Sequence, residues 1–579
     1  MPYLRLLGNS AFTGLLASAY LTVLLIHLNA EVPVSGWAVL SLLAVTAATY
    51  GVHLAVLAYA LYVLRQIAVV EPLSPGWMSL RLLTWSAAVL AGAASVFMWL
   101  HAAGLRGALD QAALTGMTRA ALVLAAATAV FLFLAVARIA TRERSRTAVA
   151  VLFTMAVVAS VAAPLAVRGR SVPVPAPAAR QTSLNAAVNG PRVVLVCLDG
   201  ASLDVISPAV AAGRLPNFGR LLDRGASMHL ATTRPTQPEP VWASAMTGKW
   251  PARHGIRSAA RYRPHNGAVA LDLLPDYLFA QALVRYGFLL EVPHRPSALR
   301  ARPLWRIAGS HGIRAGVVGL PLTHPAEPVE GFLVSDRFHR RSDSRSMLDG
   351  EPAVYPARLE EAAVETARAV VSEPEALRAR MELLPATGES GSSVDADRLH
   401  HALALRLASE EQVRLLVVRY AGLDAVAHYY LRYAMPEVFG DVSDAERRRF
   451  GRVLEDYYAY VDMLLGELIA GLGEGDLLVV VSGFGMEPLT PGKRLLERLV
   501  GDPRFSGTHE RAPDGFLLAY GSAVEPGRLA RGAVVDIAPT LLYFLGLPVA
   551  RDMDGFARTD IFMRAFTAER TITFIPSYD

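Results

Sequence analysis

Asp424 and His428, in the stretch LDAVAHYYL, stand four residues apart. On a helical turn that spacing carries a carboxylate and an imidazole to one face. The two are a donor pair for a divalent cation such as zinc, which takes oxygen and nitrogen ligands and keeps a position open when only three come from protein. The pattern by itself recurs by chance in many helices, and a hydrogen-bonded polar cluster fits it equally. Whether other elements bring further donors to the same place decides between the two.

Those elements can be read from the pattern of apolar residues. Val193–Leu198, Gly316–Leu320, Arg414–Arg419 and Leu477–Val481 are short runs rich in β-branched residues, as buried strands are. Amphipathic stretches such as Pro216–Arg224, Arg398–Ser409 and Asp444–Leu472 lie between them. Strand–helix alternation predicts an α/β fold with a mainly parallel sheet sandwiched by helices. Such sheets collect ligands at the carboxyl ends of their strands. Asp199 follows the first strand, Asp424 follows Val417–Tyr420 and Gly483 follows Val479–Val481, so three distant stretches converge on one rim.

The fragments VVLVCLDG, TRPTQPEPVWASAMTGKWPARHGI, LDAVAHYYL, VVVSGFGM and SGTHERAPDG, in that order, resemble the alkaline phosphatase superfamily. Within it they are most similar to the type I phosphodiesterase/nucleotide pyrophosphatase branch, across residues 191–579. The resemblance implies an alkaline-phosphatase-like fold whose members hold two divalent metals, usually zinc, and use them as a clamp for in-line displacement at phosphorus. It implies Asp424, His428 and His509 as ligands of one metal and Asp199 as a ligand of the other. Where relatives complete the second site with an SDHG turn, this chain reads Ser482, Gly483, Phe484, Gly485. The nucleophilic Thr of relatives falls on Pro238 of PTQPEP, which leaves Thr236 as the nearest hydroxyl and the candidate nucleophile.

The expectation is therefore one divalent ion, zinc by resemblance, with the second site and the nucleophile gone. Two functions follow from it. The first is a single-metal phosphodiesterase or phosphohydrolase, or a transferase of the same chemistry. The second is a catalytically inactive relative that binds an anionic envelope ligand or a partner protein. His254, Ser244, Thr247, Asp554 and the lone Cys197 read as structural residues.

Composition places this domain at a membrane. The chain is 53% hydrophobic and only 18% charged, too apolar for one soluble body of its length. The excess lies in five runs, about Ala11–Leu28, Trp37–Leu64, Leu83–Leu100, Ala120–Ile139 and Ala148–Val167, each long enough to cross a bilayer as a helix. The first run also fits a signal peptide, but four more follow it. Arg5, Arg65, Arg81, Arg138, Arg142, Arg144 and Arg146 fall on one side and Arg106 and Arg119 on the other, which sets the N-terminus in the cytoplasm. His53, inside the second run, reads as a neutral imidazole bonded to a neighbouring helix.

The resulting plan has three parts. Residues 1–170 form an all-α bundle of about five transmembrane helices, and 171–191 a Pro/Ala-rich linker. Residues 192–579 form an extracytoplasmic domain with cap-like insertions at about 257–303 and 337–398. In a bacterium this is a multi-pass inner-membrane protein with a periplasmic or extracellular C-terminal domain. A lipid-linked, glycan or other envelope phosphoester suits it as ligand. The net charge of +5 comes largely from loop arginines, and no basic-aromatic stripe points to nucleic acid.

Overall fold

The computed structural model describes residues 2–68, 78–140, 146–169, 190–264, 269–275, 280–339, 350–370, 380–384, 389–511 and 513–579. Most of the expected linker, and parts of both expected insertions, lie outside these residues. The chain divides into two compact units, Met1–Val174 with Ala260–Pro293, and Pro175–Ala259 with His294–Asp579.

Among its described residues the first unit contains five helices long and apolar enough to cross a membrane, the make-up of a multi-pass membrane protein: Tyr3–Leu28, Gly36–Ala68, Leu80–Gly104, Gln111–Ala137 and Thr147–Ala166. The Arg168 guanidinium donates to the carbonyls of Asn29 and Val32 at 2.7 Å each. That clasp puts the end of the first helix and the end of the fifth on one side, as an odd number of crossings requires. His53 bonds within its own helix, to the Thr49 carbonyl at 2.5 Å, and not to a neighbour as expected.

Residues 260–293 join this unit, which changes the reading of 257–303 as a cap-like insertion of the C-terminal domain. Ala260–Pro264 and Leu289–Pro293 pair as an antiparallel hairpin. Asn29, buried at the end of the first helix, accepts from the backbone N–H groups of Asp272 and Leu273 and donates to the Leu273 carbonyl. Such obligatory backbone groups are satisfied here by a helix end, and Leu271 and Leu273 bury their side chains beside them.

The second unit is built on one mixed sheet. Its strands are β1 (Val193–Leu198), β2 (Ala226–Ala231), β3 (Ala315–Val318), β4 (Gly331–Val334), β5 (Val354–Tyr355), β6 (Leu415–Tyr420), β7 (Leu477–Phe484), β8 (Asp514–Tyr520) and β9 (Gly527–Arg528). They run in the order β9-β2-β8-β7-β1-β6-β3-β4-β5, with Gly532–Ala533 paired beside β2. The five central strands β7-β1-β6-β3-β4 are parallel; β8 and β5 run against their neighbours. In β1 Val194, Val196 and Leu198 pack into one apolar layer, while Val193, Leu195 and Cys197 pack into the other. Both faces are thus covered, which is why these strands read as unbroken apolar runs. The stretch Asp444–Leu472 is two helices, Asp444–Phe450 and Val453–Ala470, parted at Gly451.

Among the residues read as structural, His254 is fully buried. Its Nδ1 accepts from the Ile256 N–H, and its Nε2 lies 2.9 Å from the Ser244 hydroxyl, which donates to the Pro240 carbonyl. Burial pushes its pKa down to about 3, and that of His400, beneath β6, down to about 4. Below the unfolded-state value the unfolded chain takes up protons that these imidazoles refuse, so their contribution is full above about pH 6.5 and fades as pH falls toward the folded values. At pH 5 each withdraws about 2 kcal/mol. Thermal melts of the full chain should therefore drop steeply between about pH 7 and pH 5, and His254→Gln should flatten that slope. An unchanged slope in the variant would contradict the assignment.

Candidate metal centre

The helix Gly422–Ala434 starts directly behind β6, and it is fixed there by a buried carboxylate from another element. Asp397 accepts from the N–H groups of Ala421 and Gly422, at 2.7 and 3.0 Å, and from the Tyr457 hydroxyl at 2.8 Å. Two of the helix's orphan donors are satisfied in this way, and a negative group sits at its positive end. Burial nevertheless raises the Asp397 pKa to about 7 against the pull of those three donors. Gly200, in a left-handed conformation at φ 71°, closes the approach of the β1 end to this helix. A Cβ there would meet the Asp424 Cα at 2.9 Å.

From the first turns of the helix, Asp424 and His428 point to the sheet rim, and His509 arrives from the far side of Gly507–Thr508. The three offer ligand atoms that all lie within 4.8 Å of one another, and among the described residues they are the one such group. His428 Nε2 is 3.4 Å from Asp424 Oδ2, and His509 Nε2 is 3.9 Å from Asp424 Oδ1.

The far nitrogens decide what the near ones can do. His428 Nδ1 lies 2.9 Å from the Gly507 carbonyl and His509 Nδ1 lies 2.6 Å from the Thr236 carbonyl. A carbonyl only accepts, so each Nδ1 carries its proton and donates. In the neutral ring that leaves Nε2 as the lone pair on the Asp424 side, the arrangement of metal-binding histidines. Asp424 Oδ1 is buried and makes no hydrogen bond. Two imidazole nitrogens and an unbonded carboxylate oxygen converging on one place fit a cation. Their titration reflects the same crowding. Burial raises Asp424, but the two imidazoles outweigh it and hold it below its usual range. Burial lowers His428, yet Asp424 holds it up, while for His509 burial prevails and its pKa is lowered.

Asp199 does not join this group. Its Oδ1 accepts from Trp242 Nε1 at 2.6 Å, and its Oδ2 accepts from Arg419 Nε at 2.9 Å and from Nη2. Both oxygens are committed, and the cation beside Asp199 is a guanidinium from the adjacent strand β6, in register with Cys197. This departs from the expectation of a metal ligand. Thr236 also departs from its expected role. It is 2% exposed and its hydroxyl donates to the Thr233 carbonyl, so what it gives the site is the backbone oxygen that orients His509. Pro238 opens the helix Pro238–Thr247, where a missing N–H costs nothing. Gly483 faces Val241, whose Cγ1 would lie 2.3 Å from an added Cβ, and the buried Phe484 ring sits 5.0 Å from that of His509.

Residues 193–526, more than half of the chain, match the sequence profile of the type I phosphodiesterase / nucleotide pyrophosphatase family. The chain belongs to that family. The family and the alkaline-phosphatase-like α/β fold expected from the sequence both hold, and the family's typical cofactor is zinc. Solved structures similar to this chain include the following two. Phosphonoacetate hydrolase from Sinorhizobium meliloti 1021, in complex with phosphonoformate, is 23% identical over 55% of this chain and 66% of its own, with a TM-score of 0.33. Murine ectonucleotide pyrophosphatase / phosphodiesterase 5 is 13% identical over 64% of this chain and 100% of its own, with a TM-score of 0.37. The chain thus spans just under two thirds of the hydrolase. No curated protein matches it.

Sequence reasoning missed Arg419 and Asp397. Arg419 lies inside a valine-rich run that signals only a strand, although an arginine there was itself a warning that a buried partner existed. Asp397 sits in a stretch dense with charged residues and carries no distinguishing pattern.

Proposed function

We propose that this protein is a membrane-anchored phosphoester hydrolase or phospho-group transferase whose site holds a single divalent ion between Asp424, His428 and His509. The observation that carries this reading is the pair of Nδ1-anchored imidazoles facing the unbonded Asp424 oxygen. A divalent cation held there would supply Lewis-acid polarisation of a phosphoryl oxygen and lower the pKa of water. The chain's own part is to fix the ligands: Asp397 sets the helix, Gly507 and Thr236 set the tautomers, and Phe484 keeps the wall beside His509 dry. An odd number of crossings that begins in the cytoplasm carries the C-terminal domain to the outer side of a bacterial inner membrane, and a lipid-linked, glycan or other envelope phosphoester suits such a placement.

A second reading has its own support. Pro238 carries no nucleophile, the Thr236 hydroxyl is buried, and Val241 fills the space an acidic side chain at 483 would need. These favour a pseudoenzyme that binds an anionic ligand or a partner through the same ion. The full chain, purified in detergent and loaded with zinc, should turn over an aryl phosphodiester or phosphomonoester, and chelation should abolish that turnover. Zinc-loaded protein that binds phosphate but turns over neither substrate would overturn the hydrolase and leave the binder.

A further inference from the structure

We infer that the hairpin Ala260–Pro264 and Leu289–Pro293, with the turn before its second strand, is a membrane-surface element that beds Tyr286, Phe288 and Val292 in the lipid leaflet on the Asn29 side. The segment 269–274 between its strands is seated on the ends of the apolar helices, and Tyr262 of the first strand bridges to Leu271 and packs against the same cluster. Asn29, 2% exposed, holds Asp272 and Leu273 by three backbone hydrogen bonds of 2.7 to 2.9 Å. Leu271 packs in one cluster with Leu25, Ile26, Val32 and Leu42, and Leu273 in another that includes Leu24 and Leu28. Leu25–Leu28 is the last turn of the first helix, so the seat lies about one helical turn (~5 Å) from where that helix ends. This is the depth of a bilayer's headgroup boundary if the helix spans the hydrocarbon.

The outer side carries what an interfacial surface needs. Tyr286 is 60% exposed, Phe288 45% and Val292 41%. Arg263 and Arg285, on the same small element, are exposed too. Aromatic and branched side chains flanked by arginines suit a zone that is apolar below and charged above, with the guanidinium heads reaching the phosphates. Two tryptophans mark the same level: Trp37, in the first turn of the second helix, and Trp99, in the last turns of the third, are both exposed and both on the Asn29 side. Aromatic residues gather at membrane–water boundaries for this reason. The hairpin continues that belt, which argues for lipid as its occupant.

The full chain has one cysteine, Cys197, which is fully buried, so Phe288→Cys introduces the one accessible thiol. It would be labelled with an environment-sensitive fluorophore and reconstituted in phosphatidylcholine nanodiscs. Expected are strong quenching by doxyl groups carried near the lipid carbonyls and several-fold weaker quenching by iodide than at Phe556→Cys, an exposed position of the other unit. A label open to iodide overturns the proposal. So does a label shielded from both quenchers, because protein would then cover the patch. Val292→Cys repeats the measurement if Phe288→Cys fails to insert.

Discussion

His509→Ala should weaken zinc binding about a hundred- to a thousandfold, and Asp424→Asn should do the same. Zinc sites with four protein ligands bind with roughly 10–16 kcal/mol, so one ligand corresponds to about 2.5–4 kcal/mol. Every 1.4 kcal/mol is tenfold. Asp424→Asn is the sharper test, since it preserves shape while giving one oxygen position to an N–H₂ that cannot ligate. Thr236→Val is the matching control. It removes a hydroxyl spent on the Thr233 carbonyl and keeps the backbone oxygen that His509 Nδ1 uses, so zinc affinity should change little. Competition with a chromophoric chelator reads all three. Wild-type affinity in His509→Ala would dissolve the site.

The Asp424–His428–His509 cluster was legible because each of its parts has a local signature. A carboxylate and an imidazole one turn apart declare a shared face, and SGTHERAPDG supplies a third donor once the family order is recognised. The strands were legible because burial on both sheet faces leaves no polar alternation to confuse them. What escaped was long-range pairing. Arg419 and Asp199 are 220 positions apart, and nothing in either neighbourhood names the other. The segment 260–293 escaped for a related reason. Its tie to the helical unit runs through Asn29, more than 240 residues upstream, and an Asn in a short loop looks like any turn residue. The join at Gly451 was hidden because the apolar periodicity resumes on its far side.

Arg419→Met should cost about 3–5 kcal/mol, the usual result when one partner of a buried ion pair is removed and the other stays charged. The Asp199 side chain is 1% exposed and that of Arg419 15%, so water offers Asp199 little compensation. Burial already drives the Asp199 pKa upward, and Arg419 pulls it back only in part; Asp199 in turn holds Arg419 above its ordinary value although burial opposes it. Asp199→Asn with Arg419→Met removes both charges, so thermal melts of the double variant should recover most of the loss, and the cycle should show strong coupling. The pair also bears on the proposed single-ion site. Asp199 has spent one oxygen on Trp242 and the other on Arg419, so native mass spectrometry of the wild-type chain should find one zinc at saturation. A second equivalent bound with Arg419 in place would mean that the guanidinium does not stand in for a metal. Additive single and double variants would mean that Asp199 and Arg419 do not act as one unit.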